Sequence, residues 1–326
     1  MAIQFTVIGL DQIGISLGLA LAEHKEKIYR RGHDPVPTRA RKIDPAGAFE
    51  KIHYRLSEAV KDADVVLISL PIDEIESVLK DMAQDLKDGV IVIDTSRASA
   101  AVNAWARQYL PAGSRFISMI PAISGSYLHE KPLETQSSHA DLFKNSEMVI
   151  VTDQDTHQNA VNLVSELTEI LGAHAYFTDT FEADGIHARV DLLPKLVASA
   201  LLLNTMQRSG WQDARRLASI PYAAGTEAIQ YFSETAHPGE ALVSNRDNLV
   251  TALDDMIASL TKFRSLIDGK DTKTLDEFLL SLKEDHAEWL DLRRDGDWDK
   301  PDREPAEKPA GIFKRLLGDP DRLKKK

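Results

Sequence analysis

One short apolar run that breaks at a glycine turn and resumes as a helix constrains this chain more than any other feature. The stretch is "VIGLDQIGISLGLAL", Val7–Leu21. A continuous apolar run reads as a strand covered on both faces. A strand, a tight glycine turn and a helix N-terminus together make a seat for an anion, because first-turn amides and the helix dipole both favour negative charge. Gly9 permits the sharp turn, and Gly14 lets the helix pack closely on the strand. The middle position of the G-x-G-x-x-G pattern holds Asp11 where glycine is usual. A carboxylate there adds bulk and charge beside the place a pyrophosphate would occupy. At ~4 Å and an effective dielectric of ~20, one such like-charge contact costs about 4 kcal/mol before relaxation. That weakens binding roughly a thousandfold. The same side chain is placed to cap the helix N-terminus, which is a stabilising role in its own right.

The pattern repeats through the first half. "KIYRRGHD" reads as a second strand ending in Asp34, "DVVLISLP" as a third, "GVIVIDTS" as a fourth, "SRFISMIP" as a fifth and "SEMVIVT" as a sixth. Between them lie amphipathic helical segments such as "RLSEAVKDA" and "IDEIESVLKDMAQDL". Alternating strands and helices predict an α/β, Rossmann-type doubly wound, mostly parallel sheet. After about residue 175 strand signals nearly vanish, predicting an all-helical C-terminal domain. Its segments include "GIHARVDLLPKLVASALLLNTMQ", with Pro194 marking a break or kink, then "RDNLVTALDDMIASLTKFRSLI" and "KTLDEFLLSLKEDHAEWLDLRR". The expected division is 1–175 for the dinucleotide-binding domain, 176–294 for the helical dimerisation and substrate domain, and 295–326 for a disordered linker and basic tail.

Several function classes fall away on composition. A net charge of -12 argues against nucleic acid as the main partner, while a local basic pocket for an anionic small molecule remains compatible with it. With no cysteine in 326 residues, disulfides, thiolate chemistry and Cys-ligated metals are excluded. The ten histidines show no metal-ligand spacing, so no metal is expected. No apolar run approaches the roughly 18 to 20 residues that span a bilayer, and the chain opens directly on a strand, so a cytoplasmic protein is expected. Asp34, at the end of the second strand, lies where an acid usually accepts hydrogen bonds from an adenosine ribose. It favours NAD over NADP, with Arg39 and Arg41 nearby to soften that preference. The cofactor-facing set is then Gly9, Asp11, Gly14, Asp34, Pro71 and Asp94.

Taken in order, the "GLDQIGISLGLAL" turn, "GHDP", "DADVVLISLPIDEIESVLKDMAQDLKDGVIVIDTSR", "EADGIHARVDLLPKLVASAL" and "GWQDARRLAS" resemble the prephenate/arogenate dehydrogenases of tyrosine biosynthesis. The resemblance runs over about residues 3 to 290. It implies a Rossmann domain joined to a helical dimerisation domain, a homodimer, and an active site in the cleft between them. The implied activity is NAD(P)-dependent oxidation of prephenate or arogenate, with hydride transfer and loss of carbon dioxide.

Position by position, the resemblance is incomplete. The family's histidine before a proline after the fifth strand is Ile120 here, ahead of Pro121. General-base help of the kind isoleucine cannot give is worth about 100 to 10,000-fold. In the family's Asp-x-Gly-Ser-x-Lys stretch Asp94 is kept, Arg97 stands in the serine column and Ser99 in the lysine column, with Ser96 one residue away as a substitute. The family's "SHLPH" is "DLLPK", so Asp191 and Lys195 sit at i and i+4, a spacing that allows an ion pair. Arg216 matches an arginine that in the family binds a substrate carboxylate. His187 is the remaining acid/base candidate. Ser124, in the "SGSY" loop, is placed either to touch a ligand or simply to make a turn. The catalytic set is therefore Ser96, Arg97 and His187, and the substrate set Arg216, Ser124 and Lys195. The alternative is a relative that no longer catalyses and keeps the fold and the dimer for ligand binding or regulation.

Overall fold

A computed structural model describes residues 2–43, 47–130, 137–234, 236–296 and 298. The basic tail expected beyond Asp295 lies outside the described residues, apart from its first few positions. Among the described residues eight strands form one sheet, in the order β3-β2-β1-β4-β5-β6-β7-β8. They are β1 Ile3–Ile8, β2 Ile28–His33, β3 Lys51–His53, β4 Val65–Ile68, β5 Ile91–Asp94, β6 Arg115–Pro121, β7 Glu147–Val151 and β8 His174–Thr178. All neighbours pair parallel except β6 and β7, where Ser118 faces Val151 and Pro121 faces Met148. The order reverses between β1 and β4, which is where an open sheet of this kind leaves a crevice at its carboxyl edge.

The strands alternate faces with a period of two, and each face has its own helices. The helices on the sheet are α1 Gln12–Ala20, α2 Pro37–Ile43, α3 Leu56–Val60, α4 Ile72–Met82, α5 Ser99–Tyr109 and α6 Gln158–Ile170. Phe5, Val7, Val65, Leu67 and Ile93 pack with Leu17 of α1 and Val164 and Leu167 of α6. Ile8, Val66, Ile68 and Val92 pack on the other side with Ile75, Leu79 and Met82 of α4 and Val102 of α5. Both faces are covered, so β4 is buried along its whole length, as its continuous apolar sequence requires.

Two strands escape the sequence reading, and both are sheet edges. Lys51–His53 is only three residues long, and four of the five residues of His174–Thr178 are exposed. Edge strands of this kind carry no continuous apolar run to announce them. The first helix is short: it starts at Gln12, and after Ala20 it tightens into a 3₁₀ turn, Leu21–His24.

The helical remainder is α7 Thr180–His187, α8 Leu193–Met206, α9 Trp211–Leu217, α10 Ile220–Thr226, α11 Pro238–Ser244, α12 Arg246–Asp268 and α13 Thr272–Asp295. Between α7 and α8 the backbone widens into a π turn over Ala188–Leu192. Pro194 lacks the amide that would continue the ladder, and the chain absorbs that loss one turn earlier.

Asp184 of α7 joins this remainder to the sheet layer. Its two carboxylate oxygens accept the amides of Ser99 at 2.7 Å and Ala100 at 3.0 Å, in the first turn of α5. Asn245, just before α12, donates to the Asp184 carbonyl at 2.6 Å. Replacing Asp184 by alanine leaves two first-turn helix amides, that of Ser99 buried, without their acceptor. The expected loss is about 2 kcal/mol of unfolding free energy, read as a lower urea midpoint at unchanged slope.

Candidate functional site

The crevice at the β1/β4 reversal opens into a single cavity of about 1210 Å³. One wall is the turn into α1, Leu10 to Ile13; the floor is Ser69, Leu70, Pro71 and Thr95 to Ala98 at the ends of β4 and β5; the facing wall is Val190 to Leu192, Pro194, Lys195 and Phe232. The tightness of the turn explains its glycines. Gly9 has φ +97, and a Cβ there would lie 1.8 Å from the Ser69 carbonyl oxygen. A Cβ on Gly14 would lie 2.1 Å from the Gly9 carbonyl oxygen.

Asp11 caps α1. Its Oδ1 accepts the Gly14 amide at 2.8 Å and the Ser69 hydroxyl at 2.9 Å. One of the three first-turn donors of the anion seat is thus taken by the chain's own carboxylate, leaving the amides of Gln12 and Ile13, both residues of the cavity wall.

Asp34 is placed differently from the expectation. Its side chain is fully buried; it accepts the Leu10 amide at 2.9 Å, the Val36 amide at 2.8 Å and the Arg39 guanidinium at 3.3 Å. Val36, Thr38 and Arg39 line the cavity in its stead. Asp94 is likewise sealed off from the cavity wall, beneath Ser96. The Ser96 hydroxyl donates to Asp94 Oδ2 at 2.7 Å and the Ser96 amide to Oδ1 at 3.1 Å. Burial pushes the Asp94 carboxyl up to about 6, against the pull of the Ser96 hydrogen bonds and helped by the Asp184 charge.

Arg97 and Lys195 reach the cavity from opposite walls and meet on Asp191. Arg97 donates at 2.9 Å and Lys195 at 3.0 Å, which gives the i, i+4 pair together with a cation from across the cleft. Burial alone would raise the Asp191 carboxyl, but the two cations outweigh it and hold it below the ordinary range. The three charges sum to one net positive charge in the wall.

Three more expected site residues, and the isoleucine in the histidine column, lie away from the cavity. His187 is buried, with Nε2 lacking a hydrogen-bond partner; burial and the neighbouring Arg97 charge push its pKa down to about 4. Ser124 is buried, and its amide is spent on the Leu142 carbonyl at 2.8 Å. Arg216 lies exposed on α9, outside the residues that line the cavity. Ile120, in the histidine column, points into a small core with Val151 and Ala183. The wall also holds residues that no local motif announces, among them Tyr127, Glu130 and Phe232. Among the described residues no group of three or more His, Asp or Glu is arranged to hold a metal ion, and no helix is long and apolar enough to cross a membrane.

Asp94 and His187 give stability opposite pH dependences. The folded Asp94 pKa of about 6 lies above its ordinary 3.8, so its contribution is full below about pH 4 and is lost as pH rises through 6. The folded His187 pKa of about 4 lies below its ordinary 6.5, so burying it costs stability as pH falls from 6.5 towards 4. Each effect is on the order of 3 kcal/mol, and in the native chain they offset one another. Urea unfolding between pH 4 and 6.5 should therefore show stability rising with pH in Asp94→Asn and falling with pH in His187→Leu.

The geometry agrees with known proteins. Residues 17–177 match the model of the prephenate dehydrogenase nucleotide-binding domain, a match that begins just past the glycine turn. A prephenate dehydrogenase of Bacillus subtilis is 23% identical over 301 residues, covering 88% of this chain and 76% of the relative. A cyclohexadienyl dehydrogenase of Zymomonas mobilis is 25% identical over 297 residues, covering 89% and 96%. Among solved structures, prephenate dehydrogenase from A. aeolicus in complex with hydroxyphenyl propionate and NAD+ superposes with a TM-score of 0.77 at 18% identity, covering 88% of this chain and 98% of that one. Synechocystis arogenate dehydrogenase gives 0.68 at 20% identity, covering 88% and 100%. These matches support the prephenate dehydrogenase family, and the low identity marks the chain as a divergent relative of it.

Proposed function

We propose that this chain binds NAD or NADP along the α1 wall and oxidises a carboxylate-bearing substrate related to prephenate or arogenate in the same cleft. The observation that carries this reading is the continuity of the cavity, which runs from Leu10–Ile13 to Arg97 and Lys195 without a partition. The tight turn, in which a Cβ on Gly9 or Gly14 would strike a backbone oxygen, presents Leu10 to Ile13 to the cavity as the seat for a dinucleotide. It fits with fewer phosphate donors than usual, because Asp11 holds the Gly14 amide.

When bound, the nicotinamide supplies the hydride acceptor. The chain's own residues do the rest. Arg97 uses one edge of its guanidinium on Asp191 and keeps further donors for a substrate carboxylate. Leu70, Ile123, Leu192 and Phe232 line the cavity and exclude water around the reacting carbon. Ser96 takes over the proton: its hydroxyl already donates to Asp94, so its lone pairs are free to accept from a substrate hydroxyl while its own proton passes to Asp94 Oδ2. A buried carboxyl poised near 6 is suited to that exchange at neutral pH. The reading keeps 1–175 as the cofactor domain and 176–294 as the substrate and dimerisation domain. Large apolar side chains on the helical part, among them Leu217 and Ile220 at 84% exposure each, support a homodimer through these helices. We place the protein in the cytoplasm.

The second reading, a relative that binds ligand without catalysis, is favoured by Ile120 in the core and Asp11 on the phosphate seat. Titration with NAD+ and NADP+, followed by prephenate and arogenate turnover at 340 nm, separates the two. Saturable binding with turnover supports the dehydrogenase, binding without turnover leaves the non-catalytic relative, and no binding ends both forms that use a dinucleotide. If the dehydrogenase reading holds, Ser96→Ala should lower kcat about a hundredfold, and the native rate should fall as pH drops below 6. Asp11→Gly should tighten dinucleotide binding by about tenfold to a thousandfold. It should cost only a few tenths of a kcal/mol in capping, since glycine is itself a fair N-cap.

A further inference from the structure

A second, smaller cavity of about 310 Å³ lies at the amino end of β6 and shares no lining residue with the cleft. Its size is at the small end of the range for ligand sites. It is a notch between β6 and the loop after β7. The ladder between these two strands ends at Ser118 and Val151. Beyond Val151 the chain turns away: the Thr152 amide donates to the Thr178 carbonyl at 2.9 Å and the Asp153 amide to the Thr156 hydroxyl at 2.8 Å. The first half of β6 therefore has a neighbouring strand on one side only. Arg115 faces that neighbour, its amide donating to the Val90 carbonyl at 2.9 Å. The amide and carbonyl of the next residue, Phe116, then face the notch.

Donors that the fold leaves unpaired gather here. Arg115 lines the notch, half-buried, and among the described residues its guanidinium makes no ion pair and no hydrogen bond. Ser114 lines it too, and its buried hydroxyl lacks a partner. Leaving such groups unmade is costly, so a polar group without a partner inside a cavity calls for a ligand. At the rim, Arg107 stands 3.6 Å from Asp155 and 3.8 Å from Asp153, both beyond hydrogen-bond length. Asp153 is occupied, accepting the Asn103 side-chain amide at 2.8 Å and the Thr180 hydroxyl at 2.9 Å. Leu110 and Phe116, which pack against the core under α4 and α5, supply an apolar side.

We infer that this notch binds a small organic monocarboxylate, with its oxygens on the Arg115 guanidinium and the Ser114 hydroxyl and its apolar body against Leu110 and Phe116. An unpaired guanidinium presents a planar fork that matches the two oxygens of a carboxylate. The rim of Arg107, Asp153 and Asp155 carries one net negative charge, which opposes a dianion such as phosphate more than it opposes a single carboxylate. The site uses no dinucleotide and no residue of the cleft, so it stands or falls apart from the dehydrogenase reading.

Calorimetric titration of the full chain with benzoate, with its neutral counterpart benzamide and with inorganic phosphate tests the site. Benzoate should bind about tenfold to a hundredfold tighter than benzamide, and tighter than phosphate. Arg115→Met should abolish that advantage, and Arg115→Lys should keep part of it through charge alone. Ser114→Ala should weaken benzoate by about fivefold; as the smaller change it carries the test if a thermal melt shows Arg115→Met to be unfolded. Because Arg97 also attracts carboxylates, the titrations are repeated in Arg97→Met, where benzoate should still bind. Hydrogen–deuterium exchange with benzoate should show protection in Arg115 to Ser118 and in Asp153 to His157. Equal affinity for benzoate and benzamide, or no saturable binding of benzoate, would overturn the site. So would binding that is lost in Arg97→Met but kept in Arg115→Met and Ser114→Ala, since the carboxylate would then sit in the cleft.

Discussion

Where β1 and β4 run side by side, the Ser69 amide donates to the Ile8 carbonyl at 2.7 Å and the Gly9 amide to the His33 carbonyl at 2.8 Å. Three strands are pinned together just where their connections diverge to opposite sides of the sheet. The Ser69 carbonyl lies so close to Gly9 that no side chain fits between them. That packing forces the sharp exit from β1, aims the first turn of α1 over the strand ends and leaves the crevice open. The helical remainder closes it from above through Asp184, which anchors α7 on the first turn of α5. Displacing either contact would shift the wall that continues from it, the α1 turn in one case and the segment after α7 in the other.

Within that frame, the chain meets much of the cleft's electrostatic demand with its own carboxylates. Asp11 sits on a helix amide that a phosphate would use, Asp34 is spent on two turn amides and Arg39, and Asp191 divides itself between Arg97 and Lys195. The pattern is that of a site partly satisfied before any ligand arrives. An entering anion must compete with an internal one at the phosphate seat, and is drawn to the net positive charge beside Arg97. Those two ends therefore set opposite expectations for affinity: weak on the pyrophosphate, stronger on a carboxylate.

The central strands and the reversal between them were readable because buried parallel strands must be apolar throughout, as "DVVLISLP" is. The capping role of Asp11 and the pair between Asp191 and Lys195 were also readable, since both are local in sequence. What could not be read depends on direction rather than spacing. Asp34 stands at the expected position, but its oxygens turn back onto Leu10 and Val36. His187 and Ser124 occupy plausible elements yet face inward, and Arg216 faces solvent on a short helix. The edges Lys51–His53 and His174–Thr178 lack a pattern because one is only three residues long and the other is mostly exposed. Phe232 lines the cavity wall from beyond the last of the motifs, in a segment with no pattern of its own.

If the account is right, one ligand must touch both walls at once. Hydrogen–deuterium exchange on the full chain, with and without saturating NADP+, measures this directly. Protection should rise together in the first turn of α1, in the segment from Ser96 to Ala98 and in the π turn from Ala188 to Leu192. Protection confined to one wall, or none at a nucleotide concentration that stabilises the protein, would contradict a single continuous binding cleft.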